Sequence, residues 1–330
     1  MSASPDTGTA AAVHALDDAL LRAWPLPMPA ADGDKEDRGH VLVLGGSREM
    51  PGAVILAATA ALRAGAGKLT IATGQSVAQL VALAMPEARV LGLAETPSGG
   101  FQLNAVARLD PLADRVSAVL IGPGMQDEVA TAALVHALLP RLGDTPTSVV
   151  LDACAMGALL HGAEGDGGAR FAQMPVLTPH AGEMAHLTGV SKEQVCADPV
   201  PLARRCAHQW NAVVALKGAV THIAAPGGDV WRHEGGNVGL AVSGSGDVLA
   251  GIIAGCAARG ANLAQSTCWG VALHARAGER LAARCGTLGY LARELCDEIP
   301  ALLDLIAGRK RGAVATIPAP PAGRAPGQHA

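Results

Sequence analysis

The chain has 330 residues, half of them hydrophobic and only 2% aromatic, with a formal net charge of −4. That length and apolar content supply an aliphatic core for one large α/β domain or two small ones, and the well-mixed charges exclude a nucleic-acid or anionic-membrane binder. Apolar runs interrupted by Gly, Arg or Asp exclude a membrane-spanning helix, and the N-terminus lacks the basic start and apolar core of a signal peptide. Seven cysteines, at 154, 196, 206, 256, 268, 285 and 296, form no C-x-x-C pair and read as reduced core thiols of a cytoplasmic protein. Eleven histidines without an H-E-x-x-H pattern give no sign of a zinc site.

In chain order, residues 1–12 are small and polar and read as an irregular start, with the ordered unit expected from about residue 15 to 307. Residues 17–24 read as a short helix closed by Pro25, Pro27 and Pro29, and the charged stretch 32–38 as a loop. The first strand is expected at 40–44. Strands follow at 68–72, 89–93, 117–121, 148–152, 174–177, 212–216, 221–225 and 229–232, alternating with helices at 52–64, 75–84, 126–141, 181–188, 192–209, 245–259 and 262–284. Buried apolar strands between helices predict an α/β fold, a mostly parallel sheet covered on both faces. The gap between 212–216 and 221–225 is too short for a crossover helix, so that pair is expected to be an antiparallel hairpin. From residue 308 the Pro- and Ala-rich chain reads as a tail.

Ligands of open α/β sheets bind outside the carboxyl ends of the strands. Glycines and polar residues collect just past those ends: Gly45 to Gly52, Gly122-Pro-Gly124, Asp152, Thr178-Pro-His180 to Glu183, and Lys217 to Thr221. Each has a plainer reading. Gly122 to Gly124 would serve as a turn, Asp152 as a helix cap, His180 as a loop histidine, Glu183 as a first-turn charge and Lys217 as a surface lysine. The late run Gly235 to Asp247 is more telling: small residues feed a helix, and a single carboxylate stands at the junction. Glycine N–H groups and a helix N-terminus favour an anion, so Asp247 beside them reads as a base working next to a held phosphoryl group. The same glycines, with Gly251 and Gly255, would also permit close helix packing. Gly65-Ala-Gly67-Lys68 continues with Leu69 and is no P-loop, and no G-x-G-x-x-G follows a strand.

Gly244-Ser-Gly-Asp247 resembles the anion-hole motif of the ribokinase-like superfamily. Gly45-Gly-Ser, Met50-Pro-Gly-Ala, Ala61 to Gly67, Gly122-Pro-Gly124, Val150-Leu-Asp152-Ala, Thr178-Pro-His180, Gly182-Glu183, Leu216-Lys217-Gly and Gly236-Asn237 are similar, in order and spacing, to the ADP-dependent NAD(P)H-hydrate dehydratases. The resemblance implies a ribokinase-like three-layer sandwich and repair of hydrated NADH and NADPH. A nucleotide phosphorylates the C6 hydroxyl of the S epimer, and phosphate is eliminated, leaving AMP and phosphate. It implies Asp247 as base, an anion hole of Gly244, Ser245 and Gly246, and nucleotide contacts from Lys217, Gly218, Ala219, Val220, Thr221 and Gly246. Ala53, Gly124, His180 and Asp247 would contact the hydrated dinucleotide, and Glu183 would hold Mg²⁺ through water. A homo-oligomer, such as a tetramer, is also implied.

Three positions depart from the family pattern: Cys154 where a second Asp is frequent, Ala181 for a proline, and Ser243 for a glycine. About forty residues precede the expected first strand, too few for the epimerase domain of many bacterial relatives, so a separate epimerase is expected upstream. The alternatives are another ribokinase-like small-molecule kinase, which would release a stable phosphoester, and a non-catalytic nucleotide-binding module.

Overall fold

A computed structural model describes residues 12–30, 32–143, 145–161 and 170–309. Of the irregular ends expected before about residue 15 and from residue 308, residues 1–11 and 310–330 lie outside the described residues, whereas Val13 and His14 belong to a strand. Ten strands form one sheet: β1 (Val13–Ala15), β2 (His40–Leu44), β3 (Lys68–Gly74), β4 (Arg89–Leu93), β5 (Ala118–Ile121), β6 (Ser148–Leu151), β7 (Pro175–Leu177), β8 (Val213–Leu216), β9 (Val220–Ala224) and β10 (Val230–Glu234). Their spatial order is β1-β10-β9-β8-β7-β6-β5-β2-β3-β4. Neighbours from β8 through β4 run parallel, while β9 is antiparallel to both β8 and β10.

Eleven α-helices are described: α1 (Asp18–Ala23), α2 (Pro51–Arg63), α3 (Ala78–Ala84), α4 (Asp110–Ala113), α5 (Glu128–Leu142), α6 (Ala181–Thr188), α7 (Lys192–Ala197), α8 (Pro199–Trp210), α9 (Ser245–Ala258), α10 (Leu263–Cys285) and α11 (Ala292–Ile306). Strand residues alternate between two cores. Val41 and Val43 of β2 pack with α2, α9, α10 and α11, whereas Leu42 and Leu44 pack with α5 and α8. That alternation is the period-2 consequence of a pleated strand covered on both sides. The α2–α9 contact is close because Gly251 presents no Cβ toward the backbone of Ala57.

Several expectations are corrected. The chain's first described strand is β1, not 40–44; it lies parallel to β10 at the sheet edge, a pairing no local pattern announces. The helix expected over 192–209 is two helices, α7 and α8, divided at Asp198 because Pro199 lacks the N–H to continue α7. The helix expected from 75 begins at Ala78. α11 was not anticipated, since Pro300 interrupts its pattern, yet Leu295, Ile299, Leu302 and Ile306 are buried at helical spacing. All seven cysteines are free, but Cys196 and Cys285 are exposed and Cys154 is half-buried, so only four are core thiols. No described helix is long and apolar enough to cross a membrane.

Candidate active site at the strand ends

Strands β2 to β8 point the same way, so the loops after them gather along one edge of the sheet. From β2 the chain order runs through β3 and β4 to one side, and from β5 through β6, β7 and β8 to the other. The boundary between β2 and β5 is therefore a topological switch point, where two loops diverge and leave a crevice. The Gly46 N–H donates to the Pro123 carbonyl at 2.7 Å, tying the two loops together. Gly124 has φ +65°, and a Cβ there would lie 2.7 Å from the Ala53 methyl. Only glycine fits, and Gly124 and Ala53 stand side by side at the crevice.

A second cluster is polar. Thr178 donates its hydroxyl proton to Asp152 Oδ1 at 2.5 Å. Lys217 Nζ lies 3.7 Å from Asp152 Oδ1 and 3.7 Å from Glu183 Oε2. His180 and Glu183 close the N-terminus of α6: His180 Nδ1 accepts from the N–H groups of Gly182 and Glu183 at 3.0 and 3.1 Å, and the His180 N–H donates to Glu183 Oε2 at 2.7 Å. Nδ1 therefore carries no proton in this arrangement, and the ring proton is on Nε2. The plain reading of Glu183 as a first-turn helix charge thus holds as part of a capping box. The Lys217 N–H donates to the Pro179 carbonyl at 2.8 Å, so the β7 and β8 ends are stitched together.

Asp247 lies in the first turn of α9, which is capped by Gly244 at φ +87°. A Cβ on Gly246 would sit 3.6 Å from Lys217 Nζ, which places the α9 N-terminus against the polar cluster. Burial and the negative charge of Asp152 push the Asp247 carboxyl up to about 7, with Lys217 pulling in the opposite direction. Asp152 is buried, and its side chain makes no cap bond to the turn that follows it, so it is spent on Thr178 and Lys217 rather than on a helix end. The sequence marks Asp152 as a strand-end candidate with a helix cap as its plainer reading, but its pairing with Thr178 and Lys217 has no signal along the chain. Ser243 is not among the residues with positive φ, so the left-handed turn needs only Gly244.

Lys217, Gly218 and Ala219 form the turn between β8 and β9, and Val220 and Thr221 begin β9. With Ala181, Val195 and Pro199, residues Lys217 to Val220 line a cavity of about 430 Å³; Thr221, Gly246 and Asp247 lie outside its lining. A larger cavity of about 490 Å³, lined by Leu62, Arg259 and Trp269, opens at the other end of α2 and α9. Twelve residues of helix, roughly 18 Å at 1.5 Å per residue, separate Arg259 from Asp247, so this cavity lies away from the strand-end cluster.

Among the described residues no three His, Cys, Asp or Glu side chains are grouped to hold a metal ion directly. Asp152 and Glu183 nonetheless offer hard carboxylate oxygens flanking one ammonium, a donor set that fits Mg²⁺ held by nucleotide phosphates and water.

The sequence profile of the NAD(P)H-hydrate dehydratase family matches residues 41–301. The chain is 49% identical over 292 residues to the ADP-dependent (S)-NAD(P)H-hydrate dehydratase of Xanthomonas campestris pv. campestris, covering 88% of this chain and 96% of that protein. It is 41% identical to the bifunctional NAD(P)H-hydrate repair enzyme of Moorella thermoacetica over 86% of this chain; the match spans 53% of that longer protein. The ADP/ATP-dependent NAD(P)H-hydrate dehydratase of Bacillus subtilis, co-crystallized with ATP and Mg²⁺, superposes with a TM-score of 0.75 at 29% identity, over 89% of this chain and 99% of that one.

Proposed function

The chain belongs to the NAD(P)H-hydrate dehydratase family, and from that premise we propose how its own residues carry the reaction. It is a carbon–oxygen lyase of ribokinase-like fold that returns the S epimer of hydrated NADH or NADPH to NADH or NADPH with ADP as phosphoryl donor. One observation carries the assignment of roles. Asp247 stands at the N-terminus of α9 with its carboxyl held near 7, beside Asp152 and Lys217. A base whose pKa lies near the working pH combines the right protonation state with useful proton affinity.

Asp247 takes the proton of the C6 hydroxyl, and the freed oxygen attacks the terminal phosphorus of ADP. AMP departs with the electron pair of the broken P–O bond. The C6–O bond then breaks, phosphate leaves with its pair, and loss of a proton from the neighbouring ring carbon restores the double bond. Phosphorylation matters because hydroxide is a poor leaving group and phosphate a good one. The anion hole of Gly244, Ser245 and Gly246 at the start of α9 holds the phosphoryl oxygens through the N–H groups other than that of Ser245, which donates to the Val242 carbonyl at 3.1 Å. Lys217 lies on the same side, and the turn through Gly218, Ala219, Val220 and Thr221 lines the nucleotide. Ala53, Gly124 and His180 receive the hydrated dinucleotide at the crevice between β2 and β5, with His180 offering its Nε2 proton. Magnesium, when bound through Glu183 and Asp152, neutralises the charge of the nucleotide phosphates.

The same reading takes the S epimer from an epimerase, places the enzyme in the cytoplasm, where its seven free cysteines stay reduced, and expects a homo-oligomer. The deciding experiment incubates the protein with hydrated NADH, ADP and Mg²⁺. Absorbance at 340 nm returns for the S epimer and AMP appears in equal amount. A stable phosphoester with no gain at 340 nm would make the protein a kinase instead.

A further inference from the structure

His274, on α10, is an ionisable group set deep in the fold that the reaction sketched above leaves unused. Its Nε2 lies 2.9 Å from Ser245 Oγ and 3.0 Å from the Ser245 carbonyl oxygen. Ser245 is the first residue of α9, between Gly244 and Gly246, and is itself buried. His274 as a residue is half-buried. Burial pushes the imidazole down to about 4, against the bond to the Ser245 backbone and with help from the Lys217 charge. The ring is therefore neutral in the working range and carries one N–H.

The position of that proton follows from its partner. A carbonyl oxygen can only accept, so the proton is on Nε2 and is shared between the Ser245 carbonyl and the Ser245 hydroxyl. A hydroxyl that accepts from the ring must direct its own proton elsewhere. Among the described residues no other group within hydrogen-bond distance accepts it. Serine hydroxyls in helices ordinarily spend their proton on a nearby backbone carbonyl. Here the ring occupies both oxygens of Ser245 and leaves the hydroxyl proton to whatever is seated at the N-terminus of α9.

We propose that His274 is a positioning residue: by donating Nε2–H to Ser245 it makes the Ser245 hydroxyl a donor to the transferred phosphoryl group. This rests on the reading of the α9 N-terminus as the phosphoryl pocket. A hydroxyl donating to a charged phosphoryl oxygen makes a short, charge-assisted bond, and holding it ready beforehand removes reorganisation from the transfer step.

The test uses the full chain with Ser245→Ala, His274→Leu, His274→Gln and the double variant Ser245→Ala/His274→Leu. The kcat and the KM for ADP are read in the repair assay. Binding of inorganic phosphate is read by calorimetry, which needs no turnover. Loss of one preorganised donor lowers kcat by about 100- to 1,000-fold, so Ser245→Ala and His274→Leu should each fall in that range with KM for ADP changed less than about threefold. Both should weaken phosphate binding by the same factor, and the double variant should be no worse than Ser245→Ala alone. His274→Gln, whose amide N–H can stand where Nε2–H stood, should recover most of the loss; a side chain that merely fills space would give no such rescue. Losses that multiply in the double variant, or wild-type kcat and phosphate affinity in His274→Leu, would overturn the proposal. If the leucine variant does not fold, His274→Asn, too short to place its amide at the Nε2 position, takes its place. If the wild-type protein fails to repair hydrated NADH, the functional reading falls, while the phosphate titrations still decide the role of His274.

Discussion

At the scale of single residues, the proposed chemistry depends on how Asp247 is charged. Its folded-state pKa of about 7 lies above the 3.8 of a free aspartate, because burial and Asp152 disfavour the anion more than Lys217 favours it. The base works only when deprotonated, so kcat/KM should rise with pH through about 7 and then level. Asp152→Asn removes the repelling charge and should move that limb to lower pH; an unmoved limb would assign it to another group. Asp247→Asn should abolish turnover while ADP still binds within a few-fold of wild type, measured by 340 nm recovery and by calorimetry. The same shift has a stability consequence. The folded state binds the extra proton, so stability is present below pH 4 and falls as pH rises toward 7. Asp247→Asn should therefore stabilise the fold at pH 8, on the order of 2–4 kcal/mol, and hardly at all at pH 4. Equal melting shifts at the two pH values would contradict this.

At the scale of elements, two helix N-termini build the proposed site by different means. α9 starts on Gly244 with no side-chain cap; the Ser245 N–H turns back to the Val242 carbonyl at 3.1 Å, and the N–H groups that follow it are not taken by a capping side chain. α6 starts on His180, whose ring nitrogen satisfies two of those N–H groups. His180→Ala should cost about 1 kcal/mol of stability, and His180→Asn, a good cap, should restore it. Urea melts check both, and the asparagine variant should still show a raised KM for hydrated NADH, since the ring is missing. The pairing of α2 with α9 carries Ala53 and Asp247 on neighbouring elements. Gly251→Val would drive a branched side chain into the Ala57 backbone and should destabilise by about 3 kcal/mol or more, read as a lower denaturant midpoint.

At the scale of the whole molecule, the N-terminal segment closes the structure. β1 pairs with β10, Leu16, Leu21 and Leu26 are buried, and the Trp24 carbonyl accepts from Gln265 and from the Trp269 indole. Arg276 adds an ion pair to Asp18 at 2.6 Å. Removing residues 1–29 would strip three leucines, worth about 1.5–3 kcal/mol each, from the same core that seats α10. The truncated protein should melt more than about 10 °C lower, or fail to stay in solution. Unchanged melting would mean that the segment is only draped on the surface.

Much of this was readable along the chain because it is local. β-branched runs alternating with Ala-rich segments imposed the parallel sheet, and glycines just past the strands marked the edge where a ligand binds. Asp247 stood out because one carboxylate in a run of small residues has few structural uses. The rest depends on residues far apart in sequence. β1 finds β10 across more than two hundred residues, Lys217 meets Asp152 and Glu183, and His274 reaches Ser245 from the next helix. A carboxylate's pKa and a serine's hydrogen bond are set by neighbours in space, through burial and Coulomb fields that carry no signature in sequence. The sequence by itself determined the parallel strands β2 to β8, most of the helices between them and the candidate base; only the tertiary structure decided β1, α11, the charge that candidate carries and the groups around it.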